Sequence, residues 1–167
     1  GPSTGAIVQA GKLGTATKDY HVLAVTHDTD LLADDWVATV TYGTNGNRDY
    51  GYISAGLGDP TAGWSLGGPF FYVRNAKFYT NIDMAVITNS TSNVYTELET
   101  FSGYTPYGGT ITITKAGDEI TFETARSGVT YTSGPWSLST VAPWLDATNC
   151  RFFVGTSSLN AWITSVE

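Results

Sequence analysis

Two carboxylates, Glu97 and Glu99, are separated by one residue in a segment with strand character. Alternate residues of a β-strand point to the same face, so both carboxylates are expected on one surface. Most glycoside hydrolases use two carboxyl groups roughly 5–10 Å apart, one on either side of the scissile glycosidic bond. The pair therefore makes a small glycoside hydrolase or polysaccharide lyase one candidate function.

A second group of candidate site residues consists of aromatic residues that lie outside the segments in which apolar and polar residues alternate. Sugars present flat faces of C–H bonds that pack on Trp and Tyr rings, while nearby polar side chains bind the hydroxyls. Large rings in glycine-rich loops have less reason to be core than rings in strands. We expect a ligand-binding platform of Trp64, Trp136, Tyr104 and Tyr107, with the polar partners Arg74, Glu97 and Glu99. If a sheet face carries the site instead, some rings are replaced by Tyr50, Tyr52 and Tyr72.

A third candidate is the acidic stretch 27–35. Calcium takes several oxygen ligands from carboxylates and carbonyls, so a metal site is expected at Asp28, Asp30 and Asp34. The stretch lacks the continuation of an EF-hand loop, because no glycine marks the turn and no glutamate follows in register. A solvated acidic loop or a helix N-cap is the alternative interpretation.

Charge and composition exclude several classes of function. The net charge is −7 and the 8 Lys and Arg residues are scattered singly, so neither a nucleic acid nor an anionic membrane is an expected partner. No run of apolar residues is long enough for a membrane-spanning helix. The single cysteine, Cys150, allows no internal disulfide and is expected to be a buried strand thiol. The two histidines form no catalytic triad or zinc spacing.

These groups must be positioned by short strands. Segments of five to nine residues alternate with turn chemistry along the chain, and residues 36–42 place Trp36, Ala38, Val40 and Tyr42 on one face. The clearest hairpin joins residues 110–115 and 119–124 through Ala116-Gly117-Asp118. Residues 125–139 are expected to be loops that carry Tyr131 and Trp136. Because no helix of ordinary length is predicted, the pattern indicates an all-β, two-sheet antiparallel sandwich.

The second half of the chain has a familiar layout. The hairpin 110–124 is followed by a loop that contains tryptophan, by Phe152-Phe153-Val154-Gly155 and by a closing strand at 161–167. This order resembles the concanavalin A-like (laminin G-like) jelly roll of many sugar-binding and sugar-cleaving domains, over residues 35–167. The resemblance implies a lectin-like domain and a structural calcium. Its hydrolases carry Glu-x-Asp-x-x-Glu on one strand, and here the second acid is Glu99 and the third position is Ser102.

The sequence therefore predicts a non-catalytic carbohydrate-binding module that recognises a polysaccharide or glycan through an aromatic platform. The alternatives are the enzyme described above and a structural or adhesive domain of a surface protein or phage fibre. Residues 1–14 are expected to be a tail or edge strand, and residues 15–167 a single domain. The opening Gly1-Pro2-Ser3 resembles the remnant of a cleaved tag. We expect the chain to be part of a larger multidomain protein that is secreted or displayed on the cell surface.

Overall fold

The computed structural model describes residues 20–44, 52–59, 69–77, 82–90, 95–102, 108–126, 128–157 and 161–167. Within them the chain forms eleven β-strands and one short helix. The strands are β1 Tyr20–Ala24, β2 Trp36–Thr44, β3 Tyr52–Gly58, β4 Phe70–Lys77, β5 Ile82–Asn89, β6 Tyr95–Ser102, β7 Gly109–Ala116, β8 Glu119–Arg126, β9 Val129–Ser137, β10 Arg151–Ser157 and β11 Ala161–Val166. The helix is α1 Leu138–Val141. Among these residues no helix is long and apolar enough to cross a membrane.

The described strands belong to two antiparallel sheets. The six-stranded sheet has the order β1-β10-β3-β4-β5-β6, and the five-stranded sheet has the order β11-β2-β7-β8-β9. Buried residues of both sheets form one core, so the sheets pack face to face. The predicted all-β, two-sheet sandwich is confirmed, and its finer assignment to the concanavalin A-like jelly roll stays a prediction. The predicted tail at residues 1–14 lies outside the described residues.

Alternation explains why β2 forms a strand with one buried face. Val40 and Tyr42 are buried, Trp36 is buried at the start of the strand, and Val37 on the other face is 53% exposed. The alternation predicted for this segment is therefore confirmed. Trp36 also donates an indole N–H hydrogen bond to the carbonyl of Leu31, at 3.0 Å, so its polar atom is satisfied inside the core.

The β7–β8 hairpin is also confirmed. Ile113 pairs with Phe122, and Ala116 pairs with Glu119, which leaves a two-residue turn at Gly117-Asp118. Gly117 has φ +58°, a left-handed conformation that glycine adopts without steric cost. Both arms place their apolar residues in the core between the sheets, where the rings of Phe122 and Phe71 lie 5.1 Å apart.

A second apolar cluster lies on the outer face of the six-stranded sheet. Phe71 and Val73 of β4 face the core between the sheets, so Phe70 and Tyr72 must point to the opposite side. There they meet Phe153 of β10, with ring centroids 5.0 Å and 5.9 Å from it. We call this set, with Ala85 and Ile87 of β5, the outer cluster, and every member is buried.

The loop predicted over residues 125–139 is wrong for its central part, which forms β9. Gly134 and Pro135 indicate a turn in sequence, yet they lie inside this strand. Proline is tolerated here because β9 lies at the edge of its sheet. In the described structure it pairs with β8 on one side, so proline can face the other side without the loss of a ladder hydrogen bond. Opposite them the register shifts between Ile120 and Phe122, so that these two residues of β9 face one residue of β8. Tyr131 and Trp136 are therefore strand residues.

Candidate functional site

A cleft lies where β6 meets β9, and these are terminal strands of the six-stranded and five-stranded sheets respectively. Its volume is about 240 Å³, and its lining comprises Glu99, Thr132, Gly134, Pro135 and Trp136. Because Glu99 comes from one sheet and the other residues from the second, only the packing of the sheets creates this surface. We call it the edge cleft. It brings together two residues predicted for ligand binding, Glu99 and Trp136.

The indole of Trp136 is held in one orientation. Trp136 pairs with Ile120, a fully buried core residue, and its half-buried ring packs against the core. Its Nε1–H donates a hydrogen bond to Ser133 Oγ at 2.9 Å, and Ser133 is itself buried. A ring fixed in this way loses little conformational entropy when a ligand packs on its open side.

Two polar groups of the edge cleft have hydrogen-bonding capacity to spare. Within the described part of the chain, neither the carboxylate of Glu99 nor the hydroxyl of Thr132 has a hydrogen-bond or ion-pair partner. Thr132 pairs with Glu123 of β8, so its side chain lies on the face of the sheet that is turned away from the core. The cleft thus combines an ordered aromatic ring with the acceptor oxygens of Glu99, while the hydroxyl of Thr132 lies on the other face of β9.

The prediction that Glu97 and Glu99 share a face is wrong. In the β5–β6 ladder Ile87 pairs with Glu97 and Val86 pairs with Glu99, which leaves Leu98 as an extra residue on β6. Such a β-bulge interrupts the period of two, so residues on either side of it no longer point the same way. Ile87 belongs to the outer cluster and Val86 to the core between the sheets. Glu97 therefore faces outward, whereas Glu99 faces the edge cleft.

Glu97 and Arg74, both predicted polar partners, meet on the outer face. Arg74 Nη2 lies 3.4 Å from Glu97 Oε1, and the exposed fractions of the two side chains are 11% and 36%. Arg74 pairs with Ala85 of the outer cluster, which confirms that the ion pair lies on this face. The structure thus divides the predicted polar partners between two surfaces, with only Glu99 in the edge cleft.

The remaining predicted aromatic residues are distributed as follows. Tyr72 lies in the outer cluster, 5% exposed, and packs against Phe70 and Phe153. Tyr52 is the first residue of β3 and pairs with Ser157. Four of the predicted residues lie outside the described part of the chain, namely Tyr50, Trp64, Tyr104 and Tyr107.

The acidic stretch uses two of its carboxylates for its own turns. Asp30 Oδ1 accepts hydrogen bonds from the backbone N–H groups of Leu32 and Ala33, and Asp34 Oδ2 accepts one from the N–H of Asp30. These bonds close a turn, and because no helix begins in residues 27–35 they fit the acidic-loop alternative and not the helix N-cap. Among the described residues no group of three or more His, Cys, Asp or Glu side chains could hold a metal ion. Calcium at Asp28, Asp30 and Asp34 stays a prediction.

A second cleft, of about 410 Å³, lies between the acidic stretch and the β7–β8 turn, and its lining includes Leu32, Lys115, Asp118 and Ser139. Lys115 is 2% exposed and donates a hydrogen bond from Nζ to the carbonyl of Asp34 at 2.9 Å. The N–H of Gly117 donates to Asp35 Oδ1 at 2.8 Å. The polar groups at this end of the sandwich therefore attach the acidic stretch to the hairpin.

Asp118 should make the stability of the domain depend on pH. Its carboxylate accepts hydrogen bonds from Ser139 Oγ, Ser137 Oγ and the N–H of Ser139, and these bonds hold its pKa below the ordinary value of 3.8. The stabilisation is therefore complete above pH 3.8 and is lost as the pH falls through the lower, folded-state pKa. We expect Asp118→Asn to lower the free energy of unfolding at neutral pH, by a difference that shrinks below pH 3.8. Urea unfolding at a series of pH values measures it.

The control for this prediction is Asp28→Asn, which removes an exposed carboxylate that has no hydrogen-bond partner among the described residues. A constant difference between the Asp118 variant and the parent across the acidic range would contradict the role assigned to the two serines.

Solved structures with a similar chain trace exist, but their sequences have little similarity to this one. No protein-family profile matches the chain, and a search of curated proteins finds no match. A carbohydrate-binding module, CBM66 from Bacillus subtilis, is 10% identical, with 99% of this chain and 93% of that chain covered and a TM-score of 0.49. The CBM2 module of the evolved Dit protein of Lactobacillus casei BL23 phage J-1 is 14% identical, with 98% and 66% covered and a TM-score of 0.46. The function proposed below rests on this chain's own residues.

Sequence reasoning missed Thr132, which lines the edge cleft, and Ser133, which accepts the hydrogen bond that orients Trp136. Both were hidden by the assignment of residues 125–139 to loops. A signal was present, since residues 129–132 read Val-Thr-Tyr-Thr, which are residue types enriched in strands. The glycine and proline that follow outweighed that signal because they are the strongest turn markers in a sequence.

Proposed function

We propose that this domain is a non-catalytic carbohydrate-binding module, and that its binding site is the edge cleft. One observation carries the proposal: an oriented, half-buried Trp136 lines an open cleft together with the carboxylate of Glu99, which has no hydrogen-bond or ion-pair partner among the described residues. The ring offers a surface for the C–H face of a sugar, and the carboxylate of Glu99 accepts hydrogen bonds from its hydroxyls. The ligand is a polysaccharide or glycan.

The separation of Glu97 from Glu99 favours binding over hydrolysis. A glycosidase needs two carboxyl groups on either side of one bond, within roughly 10 Å of each other and facing the same substrate. Here one carboxylate pairs with Arg74 on the outer face, and the other lines the edge cleft. Among its described lining residues, the edge cleft therefore has one of the two carboxyl groups that a glycosidase needs.

Affinity electrophoresis through gels that contain a panel of polysaccharides tests the proposal. We expect at least one polysaccharide to retard the parent domain, and Glu99→Gln to weaken that binding about tenfold, since a hydrogen bond to a charged group contributes roughly 1.5–3 kcal/mol. Trp136→Ala should weaken binding by at least as much. Because Trp136 also packs against the core, Trp136→Phe, which retains a ring, and a thermal unfolding curve of each variant accompany it.

Glu97→Gln is the matched control, since it makes the same change on the same strand but on the opposite face. We expect it to bind like the parent. Loss of binding in Glu97→Gln with retention in Glu99→Gln would move the site to the outer face. Release of reducing sugar that either variant abolishes would contradict a non-catalytic role.

We further propose that the domain acts outside the cell, attached to a larger secreted or surface protein. Carbohydrate ligands of this kind are extracellular polymers, and a single buried cysteine is compatible with export without disulfides. Repeating the electrophoresis with a calcium chelator tests the predicted structural calcium at the acidic stretch. Retardation and thermal stability that are both unchanged by the chelator would exclude a metal that matters for either property.

A further inference from the structure

The edge cleft carries negative charge and, among its described lining residues, no positive charge. Glu99 is the ionisable residue of the lining. A second carboxylate, Glu123, is the cross-strand partner of Thr132 and so lies beside it on the same face of the sheet. The chain as a whole carries a net charge of −7. The charge of the edge cleft and the net charge of the chain are therefore both negative.

Three cationic side chains whose surroundings the structure describes are engaged elsewhere. Arg74 pairs with Glu97 on the outer face, and Lys115 donates to the carbonyl of Asp34 at one end of the sandwich. Arg151 donates to the carbonyl of Cys150 and lines a different cavity, beside the acidic stretch. None of the three lines the edge cleft, so none neutralises Glu99 there.

These charges discriminate between classes of sugar. A uronic acid in the cleft would place its carboxylate near that of Glu99, and like charges repel more strongly where side chains displace water. A neutral sugar would give Glu99 a hydroxyl donor. An amino sugar with a free ammonium group would add the attraction between opposite charges to that hydrogen bond.

On the basis of the proposed function, we infer that the edge cleft selects glycans that contain amino sugars with a free ammonium group. The ammonium pairs with the carboxylate of Glu99, while the face of the sugar ring packs on Trp136. Neutral sugars bind more weakly, and uronic acids are rejected. Selectivity is thus set by one unpaired carboxylate in a site that has no cationic partner among its described lining residues.

Isothermal titration calorimetry with four hexasaccharides tests this inference, namely hexamers of glucosamine, N-acetylglucosamine, glucose and glucuronic acid. At low salt and slightly acidic pH we expect the glucosamine hexamer to bind about tenfold more tightly than the N-acetylated hexamer. The ratio should fall as salt rises, because salt screens partly exposed charges. In Glu99→Gln the ratio should fall to about one, and in Glu97→Gln it should equal that of the parent.

The outcomes separate this inference from the proposed function. Binding of the N-acetylated or glucose hexamer with no preference for glucosamine overturns the selectivity and leaves carbohydrate binding intact. Equal or tighter binding of the glucuronic acid hexamer also overturns it, as does a preference that survives in Glu99→Gln. If no hexamer and no polysaccharide of the panel binds, both the proposed function and this inference fall.

Discussion

Replacing Phe122 by alanine should lower the free energy of unfolding by about 3–5 kcal/mol, the largest effect on stability that we expect from one substitution in this domain. Phe122 is fully buried and lies 5.1 Å from Phe71 of the opposing sheet, so the two rings join the sheets at the centre of the core. Alanine removes that apolar surface and leaves a cavity that the surrounding strands fill only partly. Urea unfolding followed by tryptophan fluorescence measures the change.

The control for Phe122 is Val129→Ala on the adjacent strand β9. Val129 is 38% exposed, so its truncation should change the free energy of unfolding by less than about 0.5 kcal/mol. Phe122→Leu should fall between the two, because leucine retains most of the buried apolar volume. A Phe122→Ala domain as stable as Val129→Ala would show that the two sheets do not pack through this pair of rings.

Cys150 should react with thiol reagents about a thousandfold more slowly in the native domain than in the unfolded chain. Burial is the main cause that raises its pKa from the ordinary value of 9.0 to about 12, and the nearby positive charge of Arg151 offsets only part of the effect. The thiolate is the reactive species, so at about pH 8 the ionised fraction falls from roughly one tenth to roughly one ten-thousandth. Alkylation with iodoacetamide, followed by mass spectrometry, measures the rate with and without denaturant.

Cys150→Ser supplies the background for this measurement, and a small free thiol in the same solution supplies the reference rate. Native labelling within about tenfold of the rate in denaturant would contradict the burial of the thiol. The result also bears on function, because Cys150 lines a cavity with His27 and Asp30. An unreactive thiol there supports the interpretation of Cys150 as a packing residue.

Much of the strand layout could be predicted because local chemistry decides it. Trp36, Val40 and Tyr42 alternate with polar or small residues, so a strand with one buried face is the conformation that buries the apolar side chains together. The β7–β8 hairpin was likewise marked by strict alternation on both arms and by Gly117 in the turn. Both features act over a few residues, and no distant contact is needed to specify them.

The two errors at the site have the same physical origin. The strand assignment of β9 was missed because proline and glycine stop a strand only when both of its edges must pair, and the sequence does not show which strands are terminal. The shared face expected of Glu97 and Glu99 failed because Leu98 has no partner on β5. A bulge is a property of two paired strands, so one strand's sequence does not reveal it.

By itself, the sequence determined that this chain makes short antiparallel strands, and it identified Trp136 and Glu99 among the residues that could bind a sugar. Only the tertiary structure decided which of those residues lie together. It buried Tyr72 in the outer cluster, turned Glu97 toward Arg74 and brought Glu99 to Trp136 across the edges of two sheets. The reason is that alternation sets the face of each side chain within one strand, whereas a cleft between sheets depends on strand order, on bulges and on which strands end each sheet.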